Sequence, residues 1–453
     1  MKNLKSTSSL LLFLVSILLV SSLSCARVSG EAGVSLLWSN SMSVNDVAVS
    51  GDGEYLAVVN STVSGGALFF FRSESANPIW WWLISEETPL SVAISYDAGQ
   101  VALGTSTGYV YYFDSSRTRS GLQASPTWRS RDLGGGIERR TIDISDDGQY
   151  VLVGGTGESV YYFAGCGARS TLSEEPTWIN YPQGSNDIRA VDLTPDGQYL
   201  AVGGSTGLGG FVAFYQHANT QPYPTSETWN ARTEIDAPVT DLKVSDDGHS
   251  VVAVTSLQLA TLYYWRDAKS LSGDPASTWN STLPYFCVDM SADGGNVVAG
   301  KPIFAPCGIH FWTGAGSLAG KDKPETWARH EGESILDVAI SRDGEIIAAV
   351  GDPYRVIGEE YWAYFYGPDG VSLGEFQLDS LSDKISMSAD GGTVAVGSAV
   401  LDSLYVFKIT RPITVGGELG DTDYLSLLAP FFLYGAAVAV GVSLIVAVRR
   451  RTP

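Results

Sequence analysis

Six aspartates have the residue type and the regular placement of a carboxylate site. Each lies two or four residues before a Ser/Thr-x-Asp-Gly tetrapeptide or a close copy of it, within an alternating apolar run that predicts a β-strand. Side chains two residues apart share one face of a strand, so the six carboxylates form one set. They are either a channel ring that attracts cations, with a divalent cation as a candidate ligand, or buried groups that tie neighbouring repeats together, which we favour. The six are Asp46, Asp143, Asp192, Asp241, Asp289 and Asp337.

The tetrapeptides recur eight times at intervals of about 50 residues. An Asp side chain accepts a hydrogen bond from the backbone two residues on, and Gly supplies a positive φ, so each copy predicts a tight turn. A calcium loop would need several oxygen ligands, and each tetrapeptide offers one or two carboxylates. The copies start at residues 50, 145, 194, 245, 291, 341 and 388, with a degraded copy, Ser95-Tyr96-Asp97-Ala98.

Each turn joins the first two of four short β-branched and aromatic runs. The third run is aromatic, as in Val110-Tyr111-Tyr112-Phe113, and in five repeats the fourth begins with Thr-Trp. Four short antiparallel strands at a fixed period are typical of a propeller blade. Trp38 precedes the first repeat and the last repeat has only three runs, so residues 35–41 are expected to complete that blade. The prediction is an all-β, eight-bladed propeller over residues 27–409, closed by an N-terminal strand so that no edge stays unpaired.

Residues 44–58 read Val-x-x-Val-Ala-Val-Ser-x-Asp-Gly-x-Tyr-Leu-Ala-Val. This pattern resembles the WD-repeat-like and quinoprotein-like propellers of prokaryotic surface proteins, and the resemblance covers residues 35–409. The Gly-His and Trp-Asp dipeptides of eukaryotic WD repeats are absent from the sequence. The Trp-docking pattern and adjacent cysteine pair of quinoprotein dehydrogenases are absent too. The resemblance therefore implies the fold and no particular activity.

The N-terminal residues predict export. Lys2 and Lys5 precede an apolar run over residues 10–23, and Ser24-Cys25-Ala26 offers a small-residue cleavage site. Residues 1–26 are therefore expected to be a signal peptide. Lipidation of Cys25 is the alternative.

The C-terminal residues predict a membrane anchor. Residues 427–448 carry no charge, and three arginines follow them directly. This uncharged stretch is long enough to cross a hydrocarbon core of about 30 Å. A transmembrane helix is expected over residues 425–448, after a juxtamembrane linker at 410–424. The arginines place the tail, 449–453, in the cytoplasm and the propeller outside the cell. This end resembles the anchors of archaeal surface proteins.

The charge and the cysteines agree with an exterior setting. A formal net charge of −21 argues against binding to nucleic acid. Cys287 and Cys307 fall in one blade, about two strand spacings or roughly 10 Å apart, which exceeds the roughly 7 Å that a disulfide spans. The intervening loop could carry Cys307 inward, so the sequence leaves this disulfide open and Cys166 as a lone thiol. Asn60 and Asn280 begin glycosylation sequons that permit, without requiring, modification.

Catalytic motifs have little support in the sequence. The four histidines fall in different repeats, without zinc-ligand spacing, and the sequence contains no nucleophile elbow and no phosphate-binding loop. No cofactor is predicted. A recognition module at the cell surface, with a protein or glycan partner, is the leading hypothesis. The alternatives are a quinoprotein-like or glycan-active enzyme and a structural component of a surface layer.

The connections from each fourth strand to the next first strand offer the preferred binding face. They carry charges of both signs, acidic on balance, and ordinary solvated loops are the alternative interpretation. The candidate residues are Glu86, Glu87, Glu138, Arg139, Arg140, Asp187, Arg189, Glu234, Asp236, Glu331 and Glu333.

Overall fold

The structure is a computed structural model that describes residues 33–62, 65–122, 125–256, 261–282, 285–301, 307–353, 361–399 and 402–411. The predicted signal peptide, transmembrane helix and cytoplasmic tail, and nearly all of the predicted linker, lie outside these ranges. Among the described residues, no helix has the length and apolar character that a membrane crossing requires. Gly33–Thr410 forms an eight-bladed β-propeller, with four antiparallel strands in each blade.

The first strand in the chain is β1 (Gly33–Asn40), and the blades follow from residue 46 onward. The strands of blades 1 to 4 are β2 (Asp46–Val49), β3 (Tyr55–Thr62), β4 (Gly65–Arg72), β5 (Pro78–Ser85); β6 (Pro89–Ile94), β7 (Val101–Thr105), β8 (Val110–Phe113), β9 (Gly121–Leu122), β10 (Trp128–Arg129); β11 (Ile142–Ile144), β12 (Tyr150–Val153), β13 (Val160–Ala164), β14 (Trp178–Asn180); β15 (Ser185–Leu193), β16 (Leu200–Thr206), β17 (Gly210–Tyr215) and β18 (Trp229–Ala231). The short β9 belongs to the third-to-fourth-strand connection of blade 2 and pairs in parallel with β5 of blade 1.

The remaining blades keep this order, from the inner strand at the axis to the outer strand at the rim. Their strands are β19 (Val239–Val244), β20 (Ser250–Thr255), β21 (Leu262–Arg266), β22 (Trp279–Ser281); β23 (Cys287–Met290), β24 (Asn296–Lys301), β25 (Gly308–Thr313), β26 (Trp327–Arg329); β27 (Glu333–Ile340), β28 (Ile347–Pro353), β29 (Tyr361–Tyr366), β30 (Ser372–Leu378); and β31 (Lys384–Met387), β32 (Thr393–Ser398), β33 (Ser403–Thr410). Among the described residues, four 3₁₀ turns follow third strands, at Ser116–Thr118, Cys166–Ala168, Ala268–Ser270 and Ala315–Ser317.

Strand β1 closes the ring. It pairs antiparallel with β33, from Gly33 opposite Thr410 to Asn40 opposite Leu404, and so becomes the outer strand of blade 8. The closing strand that Trp38 predicted is confirmed, and it extends two residues before the predicted start at 35. Both ends of the propeller chain therefore lie within one sheet.

The eight tetrapeptides form the predicted turns between first and second strands. In blade 1, Asp52 Oδ1 accepts hydrogen bonds from Ser50 Oγ (2.6 Å) and from the backbone N–H of Glu54 (3.0 Å). The same Asp-to-backbone bond recurs in the other seven copies. The Gly that ends each intact copy has a φ near +70°, and Ala98 takes 57° in the degraded copy. These aspartates hold turns, as the sequence indicated.

The repeated tryptophans join each blade to the next. One tryptophan on the outer strand of each of seven blades donates its indole N–H to a backbone carbonyl in the connection after the third strand of the following blade. Seven of the eight seams have this bond, and in blade 7 the corresponding contact is a ring packing of Phe376 on Phe407 at 5.2 Å. The donor and acceptor pairs are Trp38–Ser73, Trp80–Ser116, Trp128–Cys166, Trp178–Ala218, Trp229–Ala268, Trp279–Ala315 and Trp327–Pro368.

The propeller has two distinct faces. The turn face carries the tetrapeptides and the connections from third to fourth strands. The loop face carries the connections between blades and those from second to third strands. Because antiparallel strands alternate in direction, β1 begins and β33 ends on the turn face.

The disulfide that the sequence left open is not formed. Cys287 and Cys307 are both buried free thiols, as is Cys166. Cys287 lies on β23 and pairs with Gly300 of β24, while Cys307 precedes β25 on the far side of β24. A complete strand therefore separates the two sulfur-bearing positions, as strand spacing alone suggested.

Replacing Trp80 by Phe should lower the free energy of unfolding by about 1–2 kcal/mol, because the Ser116 carbonyl loses its buried donor. Trp80 is fully buried and its bond is 2.8 Å long. Trp82→Phe, on the same strand but without an indole hydrogen bond to a described residue, loses only part of its ring packing on Tyr111 and Phe113 and should cost less than Trp80→Phe, by about 1 kcal/mol. Equal losses in denaturant unfolding would show that the bond contributes nothing.

Candidate functional site

The eight first strands line a central channel. Toward the loop face the channel encloses a cavity of about 350 Å³. Toward the turn face it continues as a second space of about 250 Å³. All six aspartates singled out in the sequence line the first cavity, and Asp143, Asp192, Asp289 and Lys243 line both. The channel is therefore rich in charge along its length.

Each of the six aspartates accepts a hydrogen bond from the backbone of the next blade. The bonds are 2.7 to 3.0 Å long, and in blade 8 the hydroxyl of Ser386 takes the same role by accepting from Val49 N–H at 2.9 Å. Only the seam between blades 2 and 3 lacks such a bond among the described residues. The pairs of carboxylate and N–H are Asp46–Val92, Asp143–Leu193, Asp192–Val244, Asp241–Val288, Asp289–Ile340 and Asp337–Ile385.

Two arginines cross the channel beneath the loop face. Arg139 and Arg140 come from the connection between blades 2 and 3, and both donate to Asp337 of blade 7. Arg140 also lies 3.4 Å from Asp241, and Arg139 lies 3.7 Å from Asp46. Although burial alone would raise it, the pKa of Asp337 is lowered by the two guanidinium groups. The sequence placed both arginines on the binding face, whereas their charged groups lie in the channel.

The backbone of Arg140 is left-handed, with a φ of 65°. A residue other than glycine pays for this conformation, so surrounding contacts must hold it. The two ion pairs supply those contacts on the side chain, and Val191 N–H donates to the Arg140 carbonyl at 2.9 Å on the main chain.

A third arginine crosses the channel at the turn face. Arg342 of blade 7 pairs with Asp146 of blade 3 at 2.9 Å and with Asp246 of blade 5 at 2.7 Å. Its guanidinium carbon also lies 5.6 Å from the ring centre of Tyr96 in blade 2. Arg342, Asp146 and Asp246 occupy the variable position of the tetrapeptides in alternate blades, and charge at this position is the sequence signal for the pairing.

The same variable positions form a nearly continuous circle of backbone hydrogen bonds. Residues at or next to this position donate an N–H to the carbonyl of the next blade in seven seams, for example Tyr96 to Asp146 at 3.0 Å and Ala389 to Gly51 at 3.0 Å. The seam between blades 4 and 5 is the exception among the described residues, because Pro195 has no N–H to donate. The turns therefore stabilise the ring as well as the hairpins.

The middle of the channel is asymmetric in charge. Asp143, Asp192 and Asp289 surround Lys243, whose ammonium lies 2.9 Å from Asp192. Burial raises the pKa of Asp289 to about 6, and Lys243 opposes that shift. Burial and then the neighbouring Asp192 raise the pKa of Asp143, again against Lys243. One lysine serves three carboxylates, so this layer favours protonation of an aspartate more than the arginine-paired layer does.

The structure divides the remaining loop-face residues into two groups. Five form side-chain hydrogen bonds within the propeller. Glu87 accepts from Tyr111, Glu234 from Ser277 and Glu333 from Tyr364. Asp187 accepts from Ser205 and from the fifth residue of this group, Arg189. The other four are exposed and form no ion pair with described residues: Glu86, Glu138, Asp236 and Glu331. The surface available to a partner is therefore acidic.

A metal centre has no support in the described part of the chain. Within it, no group of three or more His, Cys, Asp or Glu side chains is arranged to hold a metal ion. Buried His310 and exposed His249 lie in different blades.

Comparison with known proteins identifies the architecture. No protein-family model and no curated protein sequence matches the chain. The solved structures that are similar to this chain include the C-terminal WD40 domain of Sif2. The TM-score is 0.61 and the identity 12%, and the match covers 84% of this chain and 99% of that one. The chain has a WD40-like fold. At this identity the similarity extends to the fold and not to a ligand.

Replacing Arg140 by Met should lower the free energy of unfolding by about 3 kcal/mol, because Asp241 and Asp337 lose a buried cation. The matched change Arg131→Met breaks the exposed pair with Glu175 and should cost less than about 1 kcal/mol. Denaturant unfolding of both variants measures the difference. Similar small losses would show that the cross-channel pairs do not stabilise the ring.

Proposed function

We propose that this chain is a membrane-anchored recognition module whose propeller lies outside the cell and binds a protein partner through the loop face. The observation that carries the proposal is the crossing of the channel by Arg139 and Arg140 at one end and by Arg342 at the other. These arginines and the aspartates of the channel are thereby paired with one another. The exposed residues of the loop face retain the capacity to bind.

The chemistry of that face indicates the kind of partner. Four exposed carboxylates, Glu86, Glu138, Asp236 and Glu331, come from four different connections between blades. Complementary charge accelerates association and excludes like-charged partners. A partner with a basic surface therefore fits best.

The described ends of the propeller lie on the face opposite the proposed binding surface. The described chain enters the propeller at Gly33 and leaves it at Thr410, and both positions lie on the turn face. Anchoring rests on the uncharged residues 427–448 and the three arginines after them.

A membrane-impermeant, amine-reactive cross-linker applied to intact cells tests both parts of the proposal. It should join a full-length chain that carries Leu208→Lys to a specific protein, because this fully exposed position places an amine on the loop face, whereas Lys269 and Lys321 lie on the turn face. The variant E86Q/E138Q/D236N/E331Q should reduce that product at least tenfold, since the loss of four charges weakens a complementary interface by more than about 1.4 kcal/mol.

The control neutralises four exposed acids of the turn face, namely Glu54, Glu74, Glu175 and Glu345, and it should retain the product. Failure of the reagent to label the chain would contradict the external location. Equal cross-linking by both variants would instead contradict the loop face as the binding surface.

A further inference from the structure

A second polar pocket lies at the rim of the propeller, far from the channel in the fold. It is formed where β18, the outer strand of blade 4, meets the connection between the third and fourth strands of blade 5. The cavity is about 340 Å³, and its walls include Gln183, Glu227, Asn230, Arg232 and Asp274. None of these residues contributes to the channel or to the four exposed carboxylates of the loop face.

Two buried polar atoms in this pocket have no hydrogen-bond partner among the described residues: Asn230 Oδ1 and Arg232 Nε. Asn230 is only 4% exposed. The orientation of its amide is set by chemistry, because Nδ2 faces two acceptors, Glu227 Oε1 at 3.2 Å and the Gln183 carbonyl at 3.4 Å. Oδ1 must therefore be the unpaired atom. A buried acceptor and a buried donor left open on residues that line one pocket indicate a ligand that supplies both kinds of group.

The next blade provides an internal comparison. Asn280 occupies the same position after the outer-strand tryptophan of blade 5, and its Oδ1 accepts a hydrogen bond from Asp322 N–H at 3.1 Å. Both asparagines donate their backbone N–H to a glycine carbonyl of the following blade, Asn230 to Gly273 and Asn280 to Gly320. The open acceptor is thus particular to the blade 4 position.

The surroundings indicate the class of ligand. The backbone N–H of Asn230 is already bonded to Gly273, and that of Arg232 to Asp274 Oδ1 at 2.9 Å. An extended peptide therefore cannot add to this strand edge by main-chain pairing. Glu227 and Asp274 outnumber the single arginine, which disfavours an anionic ligand such as a phosphate.

We propose that this rim pocket binds a neutral sugar residue. A hydroxyl donates one hydrogen bond and accepts others, so neighbouring hydroxyls can donate to Asn230 Oδ1 and Glu227 and accept from Arg232 Nε. The volume suits one monosaccharide unit at the end or side of a glycan. This site is independent of the loop face, so either can fail without the other.

The test is saturation-transfer NMR on the full-length protein in a detergent without a sugar headgroup. The probes are glucose, galactose, mannose and N-acetylglucosamine at millimolar concentration, with N-acetylalanine amide as the peptide-like probe. At least one sugar should give a saturable signal. Asn230→Leu should weaken it at least tenfold, whereas Asn280→Leu, the matched change at the paired asparagine, should leave it within twofold.

Arg232→Lys keeps the charge but removes Nε, so it should also weaken the sugar signal if Asn230→Leu does not fold. The proposal is overturned if no sugar gives a saturable signal, or if the asparagine or arginine variant that folds binds like the unmodified protein. Saturable binding of the amide probe without any sugar would also overturn it and would favour a peptide ligand.

Discussion

The architecture depends on one recurring hydrogen bond between blades. The first strand of each blade is the inner edge of its sheet, and an edge strand presents N–H groups that its own sheet does not pair. In six seams an aspartate of the preceding blade accepts such an N–H, as Asp192 does from Val244 at 2.7 Å, and in a seventh Ser386 does so. Each of these seven seams places one acceptor beside the channel. The circular arrangement of the blades therefore makes the acceptors a ring.

That ring creates an electrostatic problem which the rest of the channel resolves. Six carboxylates facing one narrow space would repel one another and lose hydration. Arg139 and Arg140 balance the layer nearest the loop face, and Lys243 partly balances the next. Arg342 spans two further acids at the turn face. The channel is consequently a stabilising element, and the proposed binding surfaces lie on the loop face and the rim.

Much of the fold was predictable from the sequence because the repeat is local. The tetrapeptides define hairpin turns, and Trp38 without a repeat of its own defines the closing strand. The role of the tryptophans was less accessible, because their indole N–H groups bind carbonyls of the following blade, about 35 to 41 residues along the chain. Periodicity locates such a residue, and only the arrangement of blades shows its partner.

The candidate site was predictable only in part. The aspartates emerged from the alternation of the first strands, but Arg139 and Arg140 were assigned to the surface, since nothing local shows that they reach blades 5 and 7. Asn230 gave no sequence signal at all. Its open Oδ1 is evident only beside Asn280, whose acceptor is filled. Contacts between residues far apart in the chain decide these roles.

Site-resolved amide hydrogen exchange tests the central claim most directly, namely that the inner-strand N–H groups are held by acceptors of the preceding blade. The amides of Val92, Leu193, Val244, Val288, Ile340 and Ile385 should exchange only through global unfolding, at a free energy close to that measured with denaturant. Exchange of these amides at the rates of the exposed connections would contradict it, because the ring would then be held by strand packing without the carboxylates.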